Sequence, residues 1–403
     1  MNSSKTLLVL THQPLTKHNY VRLGVDTRYK GWKIIYWSVL PLLNKNLDRI
    51  HSQKGSRHKR NKNFIKIYTY FDLIKKINKL PKNFFYLNIV GNYIRISLLE
   101  RILCFLGGKK ISFKFGPEIE VKLNSSQNIK NFLKKNKILT TFIRIIFMFL
   151  NKIRILISEK ISNVNSVLTF VFNHNTHLKI KKNIGKNNLL KINSPEYQLY
   201  LNSKRKKKKN SNTIIFIDDV VEGSFDYKLG YAQDKDRKAE DYWGPVKELL
   251  DFVKNKLPNH KLLIAAHHRR NQNDIPISGN KFIFDKTCEL IKDSKLILCH
   301  NSMASQLAVL FRKPIVFITT DFYKSYHFHS HLTTNSLSKA LGTELINVGK
   351  KFQPNKKILQ KIKSAKVDTE KYKKYEKNYI NYPEFKSYGR WQAVLKHLDR
   401  IGT

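Results

Sequence analysis

The chain has 403 residues, with 76 Lys+Arg against 29 Asp+Glu, 14 His, 3 Cys and 41% apolar residues. That length suits two domains of core-forming size, and a 12% aromatic share beside abundant Ile and Leu excludes general disorder. Cys104, Cys288 and Cys299 show no paired spacing, which excludes a disulfide scaffold, and no Cys/His set has zinc-ligand spacing.

The formal net charge of +47 is uneven: residues 1–200 carry 37 basic and 8 acidic side chains, residues 201–403 carry 39 and 21. Lys dominates, 60 against 16 Arg, beside many Asn and Ile, as an A/T-rich genome produces through codon usage. Whatever its origin, such a field attracts phosphates and anionic lipid surfaces. A nucleic-acid partner is not expected, because the basic residues are spread along the whole chain and no nucleic-acid fold pattern appears.

Met1–Leu10 is too short an apolar stretch for a signal peptide, so a cytoplasmic protein is expected. Short β-rich runs follow at Thr6–Leu10, Ile34–Leu40, Phe64–Tyr70, Phe85–Val90, Lys109–Phe115 and Val167–Phe172. Helical segments such as Asp72–Lys79 and Ile94–Leu106 lie between them, a pattern that predicts a parallel sheet of βαβ units. The loop after the first strand, Thr11–His18, leads to Arg22 and Asp26. In a clefted two-domain enzyme it faces the other domain, which makes His12, His18 and Asp26 candidates for a general base.

Asn128–Ile161 combines Lys and Arg with apolar Phe142, Ile146, Phe149, Ile153 and Ile157 at helical spacing. It reads either as a core-facing helix or as a cationic amphipathic helix lying on a membrane. Its charges break the longest apolar stretch, so no transmembrane span is expected. Ser194-Pro195 and the basic run Lys204–Lys209 then read as a boundary and solvated linker, dividing the chain into domains 1–200 and 201–403.

The second block has continuously apolar strands at Thr213–Asp219, Lys261–His267, Leu296–His300 and Pro314–Thr319, with helices at Asp241–Leu257, Thr287–Asp293 and Ser302–Phe311. Three strands end in chemistry. Asp218-Asp219 offers carboxylates, of which Asp219 is a candidate base. His267-His268-Arg269-Arg270 offers an anion site suited to phosphate. His300-Asn301-Ser302 precedes a helix whose free N–H groups favour phosphate, with Ser302 as N-cap and Ser305 as a further donor. His327, His329 and His331 alternate and would share one face of a strand, but no acid accompanies them and no metal or other cofactor is expected. There is no Gly-x-Gly-x-x-Gly fingerprint and no Walker loop.

From His267-His268-Arg269-Arg270 through Lys286-Thr287 and His300-Asn301-Ser302 to Lys313-Pro314, the second half resembles bacterial surface-polysaccharide glycosyltransferases of the GT-B type. Those show His-Pro-Arg at the first strand end, where this chain has His268 in place of Pro. The resemblance implies an α/β fold of two Rossmann-like domains facing across a cleft. The second domain would bind a nucleotide sugar, and the first a saccharide or lipid-linked acceptor. His267, Arg269 and Arg270 would meet the donor's anionic groups, Lys286 and Thr287 would line the nucleotide site, and His300, Asn301, Ser302 and Ser305 would close around phosphate. It also implies chemistry without a resident metal, and some relatives use CMP-linked acidic sugars. A non-catalytic assembly protein and a basic nucleic-acid binder are the competing readings. Working at the inner membrane, such an enzyme would meet an anionic membrane surface.

Overall fold

In the computed structural model the described residues are 5–12, 19, 23–25, 29–46, 48, 62–91, 93–114, 153–158, 160–162, 164–181, 188–204, 211–220, 238–268, 270, 273, 275–349, 352–382 and 389–401. Largely apolar strands form two fully parallel sheets. The first holds β1 (Lys5–Thr11), β2 (Trp32–Ser38), β3 (Phe64–Lys66), β4 (Phe84–Asn88), β5 (Gly108–Lys114), β6 (Leu168–Val171) and β7 (Leu189–Lys191) in the order β3-β2-β1-β4-β5-β6-β7. The second holds β8 (Thr213–Ile217), β9 (Lys261–Ala265), β10 (Phe282–Ile283), β11 (Leu296–Cys299), β12 (Ile315–Thr320) and β13 (Glu344–Val348) in the order β10-β9-β8-β11-β12-β13. Both run outward from a central strand and reverse beside it, the doubly wound arrangement.

The helices of the first half are α1 (Leu40–Leu43), α2 (Tyr70–Ile77), α3 (Ile94–Phe105) and α4 (His174–Lys181). Those of the second are α5 (Pro195–Lys204), α6 (Glu240–Lys256), α7 (Thr287–Asp293), α8 (Ser305–Leu310), α9 (Asp321–Tyr326), α10 (Phe328–Leu341), α11 (Lys356–Lys363), α12 (Thr369–Tyr379) and α13 (Arg390–Ile401). They cover both faces of each sheet, so successive strand residues enter opposite cores. In the second sheet Ile214, Phe216, Leu298, Val316 and Ile318 pack with α6 and α9, while Ile215, Ile217, Ile297, Cys299 and Phe317 pack with α5, α8, α10 and α12.

The two cores do not divide the chain at one point. Tyr197 of α5 belongs to the second core, whereas Trp391, Val394, Leu395 and Leu398 of α13 belong to the first, against Leu7, Val9 and Phe170. Pro195 therefore opens α5, and all of the basic run Lys204–Lys209 beyond Lys204 lies outside the described residues. The two crossing segments are tied together: the Ser194 N–H donates to the Ile380 carbonyl at 2.8 Å, and the Tyr382 N–H to Asn193 Oδ1 at 3.0 Å. Gly24, at φ +68°, lets the chain pass the Trp391 ring, which a Cβ there would meet at 2.1 Å.

Candidate functional site

In open parallel sheets ligands bind beyond the carboxyl ends of the strands where the order reverses. In the second sheet that point lies between β8 and β11, which places Asp218 and Asp219 beside His300, Asn301 and Ser302. The turn after β9, carrying His267, flanks them on one side, and the end of β12 with Asp321–Tyr323 after it on the other.

Asp218 is buried and anchors the first flank. Its Oδ2 accepts from Arg270 Nε at 2.5 Å and from the His267 backbone N–H at 3.0 Å, and its Oδ1 accepts from Arg270 Nη2 at 2.8 Å. The guanidinium also lies over Trp243 at 5.2 Å and Phe282 at 5.9 Å. Arg270 is thus not the donor-phosphate ligand expected from sequence. At 6% exposure, with its fork closed on a carboxylate, it ties the β9 turn to the β8 tip and sets where His267 stands. His267 is half-buried, its ring 4.2 Å from that of His268.

His300 is corrected in the same way. Only 1% of it is exposed and both ring nitrogens are engaged. Nδ1 lies 2.7 Å from the Ile318 carbonyl, which can only accept, so Nδ1 carries the proton. Nε2 then accepts from the Tyr242 hydroxyl at 2.8 Å. Burial pushes the pKa down to about 4, so the ring is neutral and holds no phosphate charge. Tyr323 stacks on it with centroids 4.8 Å apart, and the Tyr323 hydroxyl donates to Asp219 Oδ2. One buried layer of Tyr242, His300 and Tyr323 therefore holds the half-buried Asp219 carboxylate at the strand tip.

The helix expected from Ser302 begins at Ser305, because residues 303–304 form a turn. Ala304 takes the cap position without a side-chain cap, and Ser302 Oγ accepts from the Ala304 N–H at 3.3 Å. Ser305 is fully buried and cannot reach a ligand in this conformation, which corrects its expected role. Ser302 and Asn301 stay half-buried beside β8, and Asn301 Oδ1 has no hydrogen-bond partner among the described residues. Lys286, exposed, and Thr287, at the start of α7, follow the edge strand β10, two strands out from β8. Arg269 lies outside the described residues.

In the first sheet the order reverses between β1 and β4, and half-buried His12 directly follows β1 there. His18, Arg22 and Asp26 lie outside the described residues, as does most of 128–161. The alternating histidines are not on a strand: His327 precedes α10 and His331 lies within it, its Nδ1 2.7 Å from Thr319 Oγ1. Burial, largest among its influences, lowers the His331 pKa to about 4. Among the described residues no group of three or more His, Cys, Asp or Glu is placed to hold a metal. The hollow of about 470 Å³ lined by Asn212, Lys295, Arg312 and Pro314 lies at the opposite, amino end of the second sheet. Sequence reasoning missed Tyr242 and Tyr323, which come from α6 and α9, and no spacing in the sequence marks them.

No protein-family model and no curated protein sequence matches the chain. Among solved structures, a variant of the wall teichoic acid polymerase TagF is similar at TM-score 0.51 and 12% identity, over 99% of this chain and 89% of that one. The glycosyltransferase of kitacinnamycin is similar at 0.48 and 8%, over 99% of both chains. Spinosyn forosaminyltransferase SpnP is similar at 0.46 and 12%, again over 99% of both. The fold is the GT-B type, two Rossmann-like domains facing across a cleft.

Proposed function

We propose that the chain is a glycosyltransferase that moves a sugar from a nucleotide-activated donor to a hydroxyl of a saccharide or lipid-linked acceptor. The observation that carries this reading is the convergence of Asp219, Asn301 and Ser302, with His267 alongside, at the order reversal of the second sheet. The half-buried polar groups there stand on a layer of Tyr242, His300 and Tyr323 whose polar atoms are engaged, as a preorganised site requires. The donor's diphosphate or phosphate is held by the Ser302 hydroxyl, the Asn301 amide and His267, with Arg269 from the same turn. Lys286 and Thr287 extend this site toward the nucleotide.

The acceptor lies against the first sheet, where His12 follows β1 at the corresponding reversal and is the base we assign to the acceptor hydroxyl. Asp219, one oxygen engaged by Tyr323, stands on the donor side, and Asp26 is a further candidate base for the acceptor. The hydroxyl oxygen attacks the anomeric carbon as its proton passes to the base, and the nucleotide leaves with the bonding pair. Protein donors stabilise that charge, and no resident metal is invoked. The resemblance to surface-polysaccharide enzymes extends the proposal to a CMP-linked acidic sugar and to polysaccharide assembly at the cytoplasmic face of a membrane.

Thermal unfolding with a panel of nucleotides and nucleotide sugars tests this. A ligand at one hundred times its Kd stabilises by about 2.7 kcal/mol. CMP, but not UDP or GDP, is expected to raise the midpoint, and Ser302→Ala to reduce that rise without lowering the unliganded midpoint. If no nucleotide raises it and no sugar is transferred from any donor in the panel, the reading fails.

A further inference from the structure

Helix α3 is apolar on two faces. Ile96, Leu99 and Leu103 enter the first domain's core with Leu73 and Ile77 of α2. Ile94, Leu98, Ile102 and Phe105 recur at helical spacing on the opposite side and stand in solvent, Phe105 at 90% exposure. Helical residues 153–158 approach α3: the Arg154 guanidinium lies 5.2 Å from the ring of Tyr93, which precedes α3, and Ser162, a few residues further on, donates from Oγ to Glu100 Oε2 within α3 at 3.1 Å. They extend the same outward surface with exposed Leu156 and Ile157. On the next helix, α2 adds Phe71 at 76% and Ile74 at 57% exposure.

Exposed apolar side chains gathered on neighbouring helices in this way mark an interaction site. Its charge says of which kind. Arg95 and Arg101 lie on the outward side of α3, and exposed Lys75 and Lys79 border α2. The only acids on these two helices are Asp72 and Glu100, and Glu100 is buried and paired with Lys110 at 2.9 Å. Two copies of such a face would repel each other. A polyanionic chain would leave the apolar stripe without a partner. A bilayer interface satisfies both halves, with acyl chains for the stripe and anionic headgroups for its rim.

We infer that the outward face of α2, α3 and residues 153–158 docks on an anionic membrane surface. The contact falls on a surface centred on α3, which takes in residues 153–158 of the segment 128–161 that the sequence left open between a core-facing and a membrane-facing helix, and it holds whether or not the chain transfers sugar.

Cys104 on α3 is exposed while Cys288 and Cys299 are buried, so an environment-sensitive maleimide on the full chain reports this face. Vesicles of phosphatidylcholine with 30% phosphatidylglycerol are expected to shift its emission to the blue and to float the protein, and pure phosphatidylcholine to do neither. Leu98→Ser with Ile102→Ser and Phe105→Ser, all solvent-exposed changes, should weaken flotation at least tenfold with an unchanged unfolding midpoint. Arg101→Glu should weaken it chiefly at low salt. Flotation of the triple variant equal to that of the parent overturns the inference. So does blue-shifted emission without vesicles: one that grows with protein concentration means that a second copy covers the face, and one independent of it means that residues 115–152 do.

Discussion

Replacing His300 by Gln removes a buried imidazole whose pKa sits at about 4 instead of 6.5, with desolvation as the main cause. The folded chain keeps this ring neutral, while the unfolded chain protonates it near 6.5. Between those values the unfolded state binds more protons, so stability falls as pH drops through 6.5 and the loss is complete below about 4. At 1.36 kcal/mol per pKa unit, lowering the pH to 5 costs about 2 kcal/mol through this residue, and lowering it below 4 costs about 3 kcal/mol. Urea unfolding of wild type and of His300→Gln from pH 8 to pH 5 measures it. The variant starts less stable, because Tyr242 and the Ile318 carbonyl lose a fitted partner, but its stability should decline by about 2 kcal/mol less over that range. Parallel declines in the two proteins would show that His300 is not held neutral, and the stacked layer beneath Asp219 would lose its physical basis.

Arg270→Ala strands the buried Asp218 carboxylate and should cost about 3–5 kcal/mol in urea unfolding, with Arg270→Lys recovering little because an ammonium cannot close both bonds of the fork. A loss under 1 kcal/mol would return Arg270 to the list of ligand-binding residues. Gly24→Ala should cost about 2–5 kcal/mol, combining left-handed strain with displacement of Trp391. Trypsin cleavage at Lys396 in α13 should then be faster than in wild type, and equal rates would mean that the helix docks without that close approach.

What was legible in the sequence, and what was not, follows the range of the forces involved. Strands buried on both faces must be apolar throughout, so Thr213–Ile217 and Leu296–Cys299 are visible as unbroken runs, as is β1. The chemistry after such runs is equally visible, since a polar cluster ending an apolar strand has to sit at a sheet edge. Edge strands such as Phe282–Ile283 and Leu189–Lys191 are too short to show. The side-chain partnerships are invisible for a different reason. His300 looks like a ligand until Tyr242, 58 residues away, and the Ile318 carbonyl occupy both its nitrogens. Arg270 looks like a phosphate clamp until Asp218, 52 residues upstream, takes its fork. Each strand tip thus carries one residue turned inward to hold the turn and one left at the surface: Asp218 and Asp219, Arg270 and His267, His300 and Ser302. Residue type cannot tell the members of such a pair apart, because a buried ion pair or a satisfied imidazole uses the same side chains that bind phosphate. The distinction arises only when neighbouring strands come into register, and in that register Asp219, Asn301, Ser302 and His267 remain half-buried at the strand tips.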